Sequence, residues 1–254
     1  MGAVNQGPLN WCRYELKYVI DEVRAAAIAN YIRPLVPPDA HGGGSYSLVS
    51  LYLDSADMRL CRESLEGVKN RYKLRIRTYD DSPETPRSFE IKSRMNRIIY
   101  KSRSWVAPAE GSALLGGERM DAIEHRLQAD GNLDRFLYYH NLLRSRPALA
   151  VRYSRQAFEG GLGNRLRITF DRNLQYNTSI AAGLRVGNGG WRPYPGRPII
   201  LEIKFTGQFP LWLGRMIRHF GLRDQSFSKY AFSVREACAR RWCAPRCERI
   251  LEYV

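Results

Sequence analysis

Residues 71 to 77 read Arg-Tyr-Lys-Leu-Arg-Ile-Arg. Successive side chains on a strand point to opposite faces. Arg71, Lys73, Arg75 and Arg77 therefore share one face, and Tyr72, Leu74 and Ile76 the other. One such strand is an ordinary half-exposed strand, because antiparallel sheets often face water on one side. The pattern recurs, however. Arg13, Glu15 and Lys17 share a face, as do Tyr153 and Arg155. Glu90 and Lys92 lie opposite Phe89 and Ile91, and Glu202 and Lys204 opposite Leu201, Ile203 and Phe205. Arg165, Arg167, Thr169 and Asp171 lie opposite Leu166, Ile168 and Phe170.

Strands with one apolar and one charged face can be assembled in two ways. Their apolar faces can meet, leaving a basic exterior. Alternatively the sheet closes into a barrel with a charged interior, and helices cover its apolar outside. About eight strands leave room inside for side chains or one small ligand. The expected fold class is α+β, a closed antiparallel β-barrel with a charged interior coated by several α-helices.

A charged interior needs a counter-charge. Two like charges about 4 Å apart repel by about 4 kcal/mol at an effective dielectric near 20. A bound polyanion relieves that repulsion, and the planar fork of Arg bonds two phosphate oxygens at once. Inward Glu residues also need a reason, and a divalent metal bridging carboxylate and phosphate supplies one. Composition agrees: 40 Lys and Arg against 25 Asp and Glu give a formal charge of +15 over 254 residues. That excess selects an anionic partner: nucleic acid, an anionic membrane surface or a phosphate compound. Nucleic acid would favour exposed aromatics for base stacking, whereas Tyr72, Phe89 and Phe205 fall on the apolar faces.

The expected strands are Arg13–Val19, Ser47–Leu53, Arg71–Tyr79, Ser88–Arg94, Ile98–Val106, Ala150–Phe158, Asn164–Asp171 and Ile199–Thr206. Asp21 caps a helix that runs to Ile32. A second helical region spans Glu118 to Arg144 and breaks near Gly131. A third runs from Leu211 to Phe220 and ends at Gly221, and a last one runs from Tyr230 toward Arg241. Gly183 to Pro198 reads as a long loop. No interdomain linker stands out, so 1–254 reads as one domain, with a core from about 11 to 236 and a basic tail over 237–254. The odd cysteine count, including Cys238, Cys243 and Cys247 in no usual zinc spacing, suits a reducing cytoplasm. No apolar stretch is long enough to span a bilayer, and no secretory signal is visible.

Six short motifs now stand in order: Arg13-Tyr14-Glu15-Leu16-Lys17-Tyr18, Leu51-Tyr52-Leu53-Asp54-Ser55, Lys73-Leu74-Arg75-Ile76-Arg77-Thr78-Tyr79, Phe89-Glu90-Ile91-Lys92, Leu201-Glu202-Ile203-Lys204-Phe205 and Phe227-Ser228-Lys229-Tyr230. From about Trp11 to Val234 the chain resembles the VTC domain, the polyphosphate polymerase branch of the triphosphate tunnel metalloenzymes, or CYTH-like superfamily. The resemblance implies a tunnel that binds the phosphates of ATP with Mn²⁺ or Mg²⁺. It implies transfer of the terminal phosphate onto a growing polyphosphate chain. Arg75, Arg77, Lys92, Arg155, Arg167 and Lys229 match phosphate-binding positions that carry the reaction, and Lys17 matches a further phosphate contact. Tyr153 and Ser228 match accessory contacts, Lys204 shares their substrate-facing side, and Lys101 and Arg103 resemble basic residues near the product exit. Glu202 matches the metal ligand, with Glu15 and Glu90 as further inward carboxylates. Arg13 stands where the wider superfamily has Glu, which weakens a metal role for this strand and points to the VTC branch.

Three activities fit this reading: polyphosphate synthesis from ATP, metal-dependent hydrolysis of a triphosphate, and non-catalytic polyphosphate binding. An inward Glu202 argues against a passive binder, which gains nothing from it.

Overall fold

The computed structural model describes residues 13–41, 44–80, 82, 84–96, 98–116, 130–160, 165–178 and 189–242. The expected helical stretch 118–129, the proposed strand start at Asn164, Cys12 and the tail with Cys243 and Cys247 lie outside them.

Nine strands among the described residues form one antiparallel sheet. In chain order they are β1 (Arg13–Ile20), β2 (Tyr46–Asp54), β3 (Asn70–Thr78), β4 (Arg87–Met95), β5 (Ile98–Val106), β6 (Arg146–Gly160), β7 (Leu166–Asn177), β8 (Arg192–Pro193) and β9 (Ile199–Thr206). Their order across the sheet is β1-β9-β7-β6-β2-β3-β4-β5, with β8 on β7. The short β8 falls inside the stretch expected to be a loop, and β6 and β7 run longer than the alternation alone reveals.

Among the described residues β1 and β5 do not pair, so the expected closed barrel is corrected to a curled, open sheet. The free edge of β1 is already occupied. The Lys17 N–H donates to Asp224 Oδ1 at 2.8 Å, and the Gln225 N–H donates to the Lys17 carbonyl at 2.9 Å. With those backbone groups satisfied, β1 has nothing to offer β5 there. The concave side is bridged by side chains instead: Lys92 Nζ on β4 lies 3.2 Å from Glu15 Oε2 on β1.

The six described helices are α1 (Glu22–Ile32), α2 (Arg59–Leu65), α3 (Pro108–Gly116), α4 (Gly131–Leu142), α5 (Leu211–His219) and α6 (Lys229–Ala239). Asp21 accepts from the Arg24 N–H, which caps α1 as the sequence predicts. Asp130 caps α4, which begins at Gly131. Gly221 ends α5 at φ +57°, a left-handed conformation that glycine adopts without Cβ strain. Helices α1 and α5 cover the convex face of β1, β7 and β9, where Ile28, Ile32, Leu213 and Met216 pack on Ile168, Phe170, Leu201 and Ile203. Burying each Leu or Met stabilises the fold by about 1.5–3 kcal/mol. On the convex face of β3 to β5, Leu133 and Phe136 of α4 pack on Leu74, Phe89 and Ile91.

Helix α6 departs from the expected outer coat. Its Tyr230, Val234, Ala237 and Cys238 pack with Leu48, Tyr52, Leu149, Val151, Leu174, Tyr176 and Ile200. By strand register these belong to the concave face, so α6 fills one end of the trough with apolar side chains. No described helix is long and apolar enough to cross a membrane.

Candidate functional site: a basic concave face

The register places the charged faces side by side. Glu15 is opposite Lys204 and Lys17 opposite Glu202 across β1 and β9. Arg167 is opposite Lys204 across β7 and β9, and Arg155 is opposite Asp171 across β6 and β7. Arg155–Asp171 and Lys204–Glu15 are opposite charges at the same height and form ion pairs, whereas Arg167 faces the like-charged Lys204 and turns to Asp39 and Glu159.

One ionic network runs through β1, β9, β7, β6 and the start of α6. Lys204 Nζ lies 2.7 Å from Glu202 and 3.5 Å from Glu15, joining the two carboxylates. Lys229, the first residue of α6, lies 2.9 Å from Glu202 and 2.6 Å from Asp171. Arg155 grips Asp171 with two parallel bonds at 2.6 and 2.7 Å. Lys92 and Lys17 extend the network through Glu15, and Lys17 Nζ also donates to the Phe227 carbonyl. Tyr153 lies under the cations, its ring centroid 5.0 Å from Lys229 Nζ and 5.3 Å from Arg155 Cζ.

A second cluster is built on β3, β4 and β5. Glu90 is fully buried and takes Arg75 at 2.6 Å, Lys101 at 2.8 Å and Arg103 at 2.9 Å. Arg77 donates to Ser50 Oγ, and its charge acts on both Glu90 and Tyr153, so it links the two clusters. Arg167 stands apart, at the mouth away from α6. There it meets Asp39 at 3.0 Å, Glu159 at 2.7 Å and the Tyr46 hydroxyl at 3.3 Å.

Burial opposes charge on each carboxylate, and the surrounding cations outweigh it. Lys92, Lys204 and Lys17 hold Glu15 at about 2. Lys204 and Lys229 hold Glu202 well below the usual range, and Arg155 and Lys229 lower Asp171. Arg75 and Arg77 keep Glu90 ionised. Three lysines go the other way. Burial, with Lys17, Lys92 and Arg71 nearby, lowers Lys73 to about 7. Burial also lowers Lys92 and Lys101 to about 7, against the pull of Glu15 and Glu90 respectively.

A cavity of about 110 Å³ opens at the α6 end, lined by Lys17, Lys73, Lys92, Arg71, Arg94 and Ser228 among others. Across the ladder Arg71 faces Arg94 and Lys73 faces Lys92, an arrangement of like charges that destabilises a sheet. Among the described residues Arg71, Lys73 and Arg94 have no carboxylate partner. Lys73 donates to Ser228 Oγ at 2.7 Å, Arg71 to the Val68 carbonyl and Arg94 to the Asn96 carbonyl. The alternation over residues 71–77 had marked Lys73 without giving it a role, and Asp171 had likewise been marked only as sharing the Arg167 face. Arg94 and Thr169 acquire meaning only from the register.

A metal fits this face by donor type. Glu15 and Glu202 offer hard carboxylate oxygens joined through Lys204, and Thr169 lies opposite Glu202 on β7. The Thr169 hydroxyl is buried with no hydrogen-bond partner among the described residues, so a polar oxygen waits beside Glu202. No group of three or more His, Cys, Asp or Glu able to hold a metal stands ready among the described residues. Phosphate oxygens would complete the coordination, as is common for Mg²⁺. Glu90 shares none of its ion-pair partners with Glu15 or Glu202.

Two solved structures resemble the chain at low identity. The PH1819 protein from Pyrococcus horikoshii OT3 is 12% identical, with a TM-score of 0.45 over 88% of this chain and 99% of that one. A Hippeastrum protein, described as revealing a dominant triphosphatase activity, is 13% identical, with a TM-score of 0.47 over 91% of this chain and 97% of that one. Neither likeness bears on what this chain does. No curated protein matches. The VTC domain family model matches residues 12–237, nearly the whole chain, and the protein belongs to that family.

Proposed function

We propose that this chain is a polyphosphate polymerase that transfers the terminal phosphate of ATP onto an inorganic polyphosphate chain. The supporting observation is charge imbalance in a confined space. Glu15, Glu90, Asp171 and Glu202 are outnumbered by the Arg and Lys side chains that converge on them. A linear polyanion threaded along the trough supplies the missing charge. The trough works as a tunnel whose last wall is the Glu15–Lys92 bridge rather than a β-ladder.

Phosphoryl transfer needs positioning and charge neutralisation more than covalent help from the protein. A terminal oxygen of the chain forms a bond to the γ-phosphorus, and the bond from that phosphorus to the bridging oxygen breaks. ADP leaves with the electron pair, and the chain gains one phosphate. The attacking oxygen is already ionised, so no general base is required. Arg75, Arg77, Arg155 and Lys229 hold the phosphates in line. Lys17, Lys92, Lys101 and Lys204 add charge along the path. Glu202, with Glu15 beside it, would hold Mn²⁺ or Mg²⁺. The bound ion supplies charge withdrawal from phosphate oxygens.

The test is Glu202→Gln, assayed over a Mn²⁺ titration with a gel for polyphosphate and an assay for free phosphate. The proposal expects turnover to fall at least about a hundredfold while triphosphate still binds. Wild-type turnover with an unchanged metal optimum removes Glu202 from the mechanism. Free phosphate without a polyphosphate ladder in the wild-type protein means that water is the acceptor and the chain is a triphosphatase.

A further inference from the structure

The two ends of the trough differ in chemistry. The α6 end has the cleft of Lys73 and Arg94. The opposite mouth has aromatic rings. Tyr46, Tyr79 and Trp105 lie on β2, directly after β3, and on β5. The register puts them on the concave side, since Tyr46 pairs with Arg155, Tyr79 lies two residues beyond Arg77, and Trp105 two beyond Arg103.

They form an arc around the rim. His41 covers one face of Tyr46 in a tilted contact, with ring centroids 4.1 Å apart. Tyr46 lies 6.5 Å from Tyr79, and Tyr79 lies 6.4 Å from Trp105. Along the arc the Tyr46–Tyr79 and Tyr79–Trp105 pairs are tilted by 37° and 30°, so neither is an edge-to-face contact. Trp105 is 44% exposed. A ring packed in the core would not keep that exposure.

Each end of the arc touches a basic residue of the concave face. The Arg103 guanidinium lies 5.3 Å from the Trp105 ring centroid and reaches Glu90 inside. Arg167 donates to the Tyr46 hydroxyl, and Arg155 and Arg167 both act on that phenol. A ligand filling this mouth therefore carries a flat uncharged ring joined to a polyanion. A nucleoside triphosphate has that composition. An inorganic phosphate chain does not.

We infer that the arc of Tyr46, Tyr79 and Trp105 is the nucleobase platform of the tunnel, so the substrate enters with its base on this rim and its phosphates pointing toward the Lys73 cleft. This rests on the triphosphate reading above. It also places Arg103 at the nucleotide mouth rather than at the product exit. The platform offers ring faces, and stacking on faces tolerates every base. ATP and GTP therefore bind with similar affinity.

The experiment compares binding of ATP, GTP and inorganic tripolyphosphate by calorimetry. The proteins are wild type, Tyr79→Leu, Trp105→Ala and Trp105→Phe. Loss of one stacking ring weakens ATP and GTP about tenfold, leaves tripolyphosphate within about twofold, and is largely restored in Trp105→Phe. Tyr79→Leu carries the same expectation without disturbing the Arg103–Trp105 contact. If ATP and tripolyphosphate lose affinity equally in Tyr79→Leu, or neither changes, the platform is only packing and the inference fails while the phosphate tunnel stands. If the wild-type protein binds none of the three, the tunnel reading fails and the platform with it.

Discussion

Two parts of the same concave face solve the problem of gathered charge differently. Around Asp171 and Glu202 the cations are matched to carboxylates: Arg155 and Lys229 share Asp171, and Lys229 and Lys204 share Glu202. At the Lys73 cleft, Arg71 faces Arg94 and Lys73 faces Lys92, with Glu15 the one carboxylate in the lining among the described residues. The first region is held in shape by the protein's own counter-ions. The second is held in tension until an anion arrives. Preorganisation and affinity are thus assigned to separate places along one path.

The largest expected effect breaks the balanced region. Asp171→Asn leaves Arg155 and Lys229 buried beside a neutral amide. Breaking a buried pair by removing one partner costs about 3–5 kcal/mol, and urea unfolding without ligand should read a loss of that size. Millimolar triphosphate should recover part of it, because the phosphate replaces the lost negative charge.

The matching change in the cleft should have the opposite sign. Lys73→Met removes an ammonium that lacks a carboxylate partner among the described residues, so unliganded stability should hold or rise by about 1 kcal/mol. The rise in Tm on adding triphosphate should shrink. A clear loss of unliganded stability would mean that Lys73 is a structural residue.

pH sharpens the contrast. Lys73 and Lys92 titrate at about 7 in the folded chain, against 10.5 for an ordinary lysine. Between those values the unfolded chain binds more protons, so unliganded stability rises with pH across that window. Below about 7 both states are protonated and the cost is fully present. Bound phosphate favours the protonated lysines, so the Tm gain from triphosphate should narrow over the same window. A gain that stays constant from pH 7 to 9 would detach these lysines from binding. The smallest effect expected is Ser228→Ala, which removes the α6 cap and the partner of Lys73 for about 1 kcal/mol in a thermal melt.

Most of the charged face was legible because a strand's period of two sorts side chains without ambiguity. Arg75, Arg77, Glu90, Lys92, Arg155, Glu202 and Lys204 declare their face from spacing alone. The inner face of β2 does not, because Leu48, Ser50 and Tyr52 alternate no charge. The position of α6 was hidden for another reason. An apolar helical face states that it is covered, not which side of a sheet covers it. The open edge of β1 depends on Asp224 and Gln225, a pairing about two hundred residues distant in sequence that no local pattern announces. Helix α2, at 7 residues, is too short to show a period.

Consecutive residues at the start of α6 serve different ends of the molecule. Lys229 reaches Asp171 and Glu202, while Tyr230 donates to the buried Asp54, which in turn accepts from Leu60 and Cys61 at the start of α2. Segment 224–228 sets how far α6 is rotated when it enters the trough, since both its ends are tied, to β1 and to Lys73. An α-helix turns about 100° per residue. Inserting or deleting a single residue there would swing Lys229 out of the charged network and Tyr230 off Asp54 in one stroke. Related chains should therefore vary freely in the loops around this segment yet keep its length fixed.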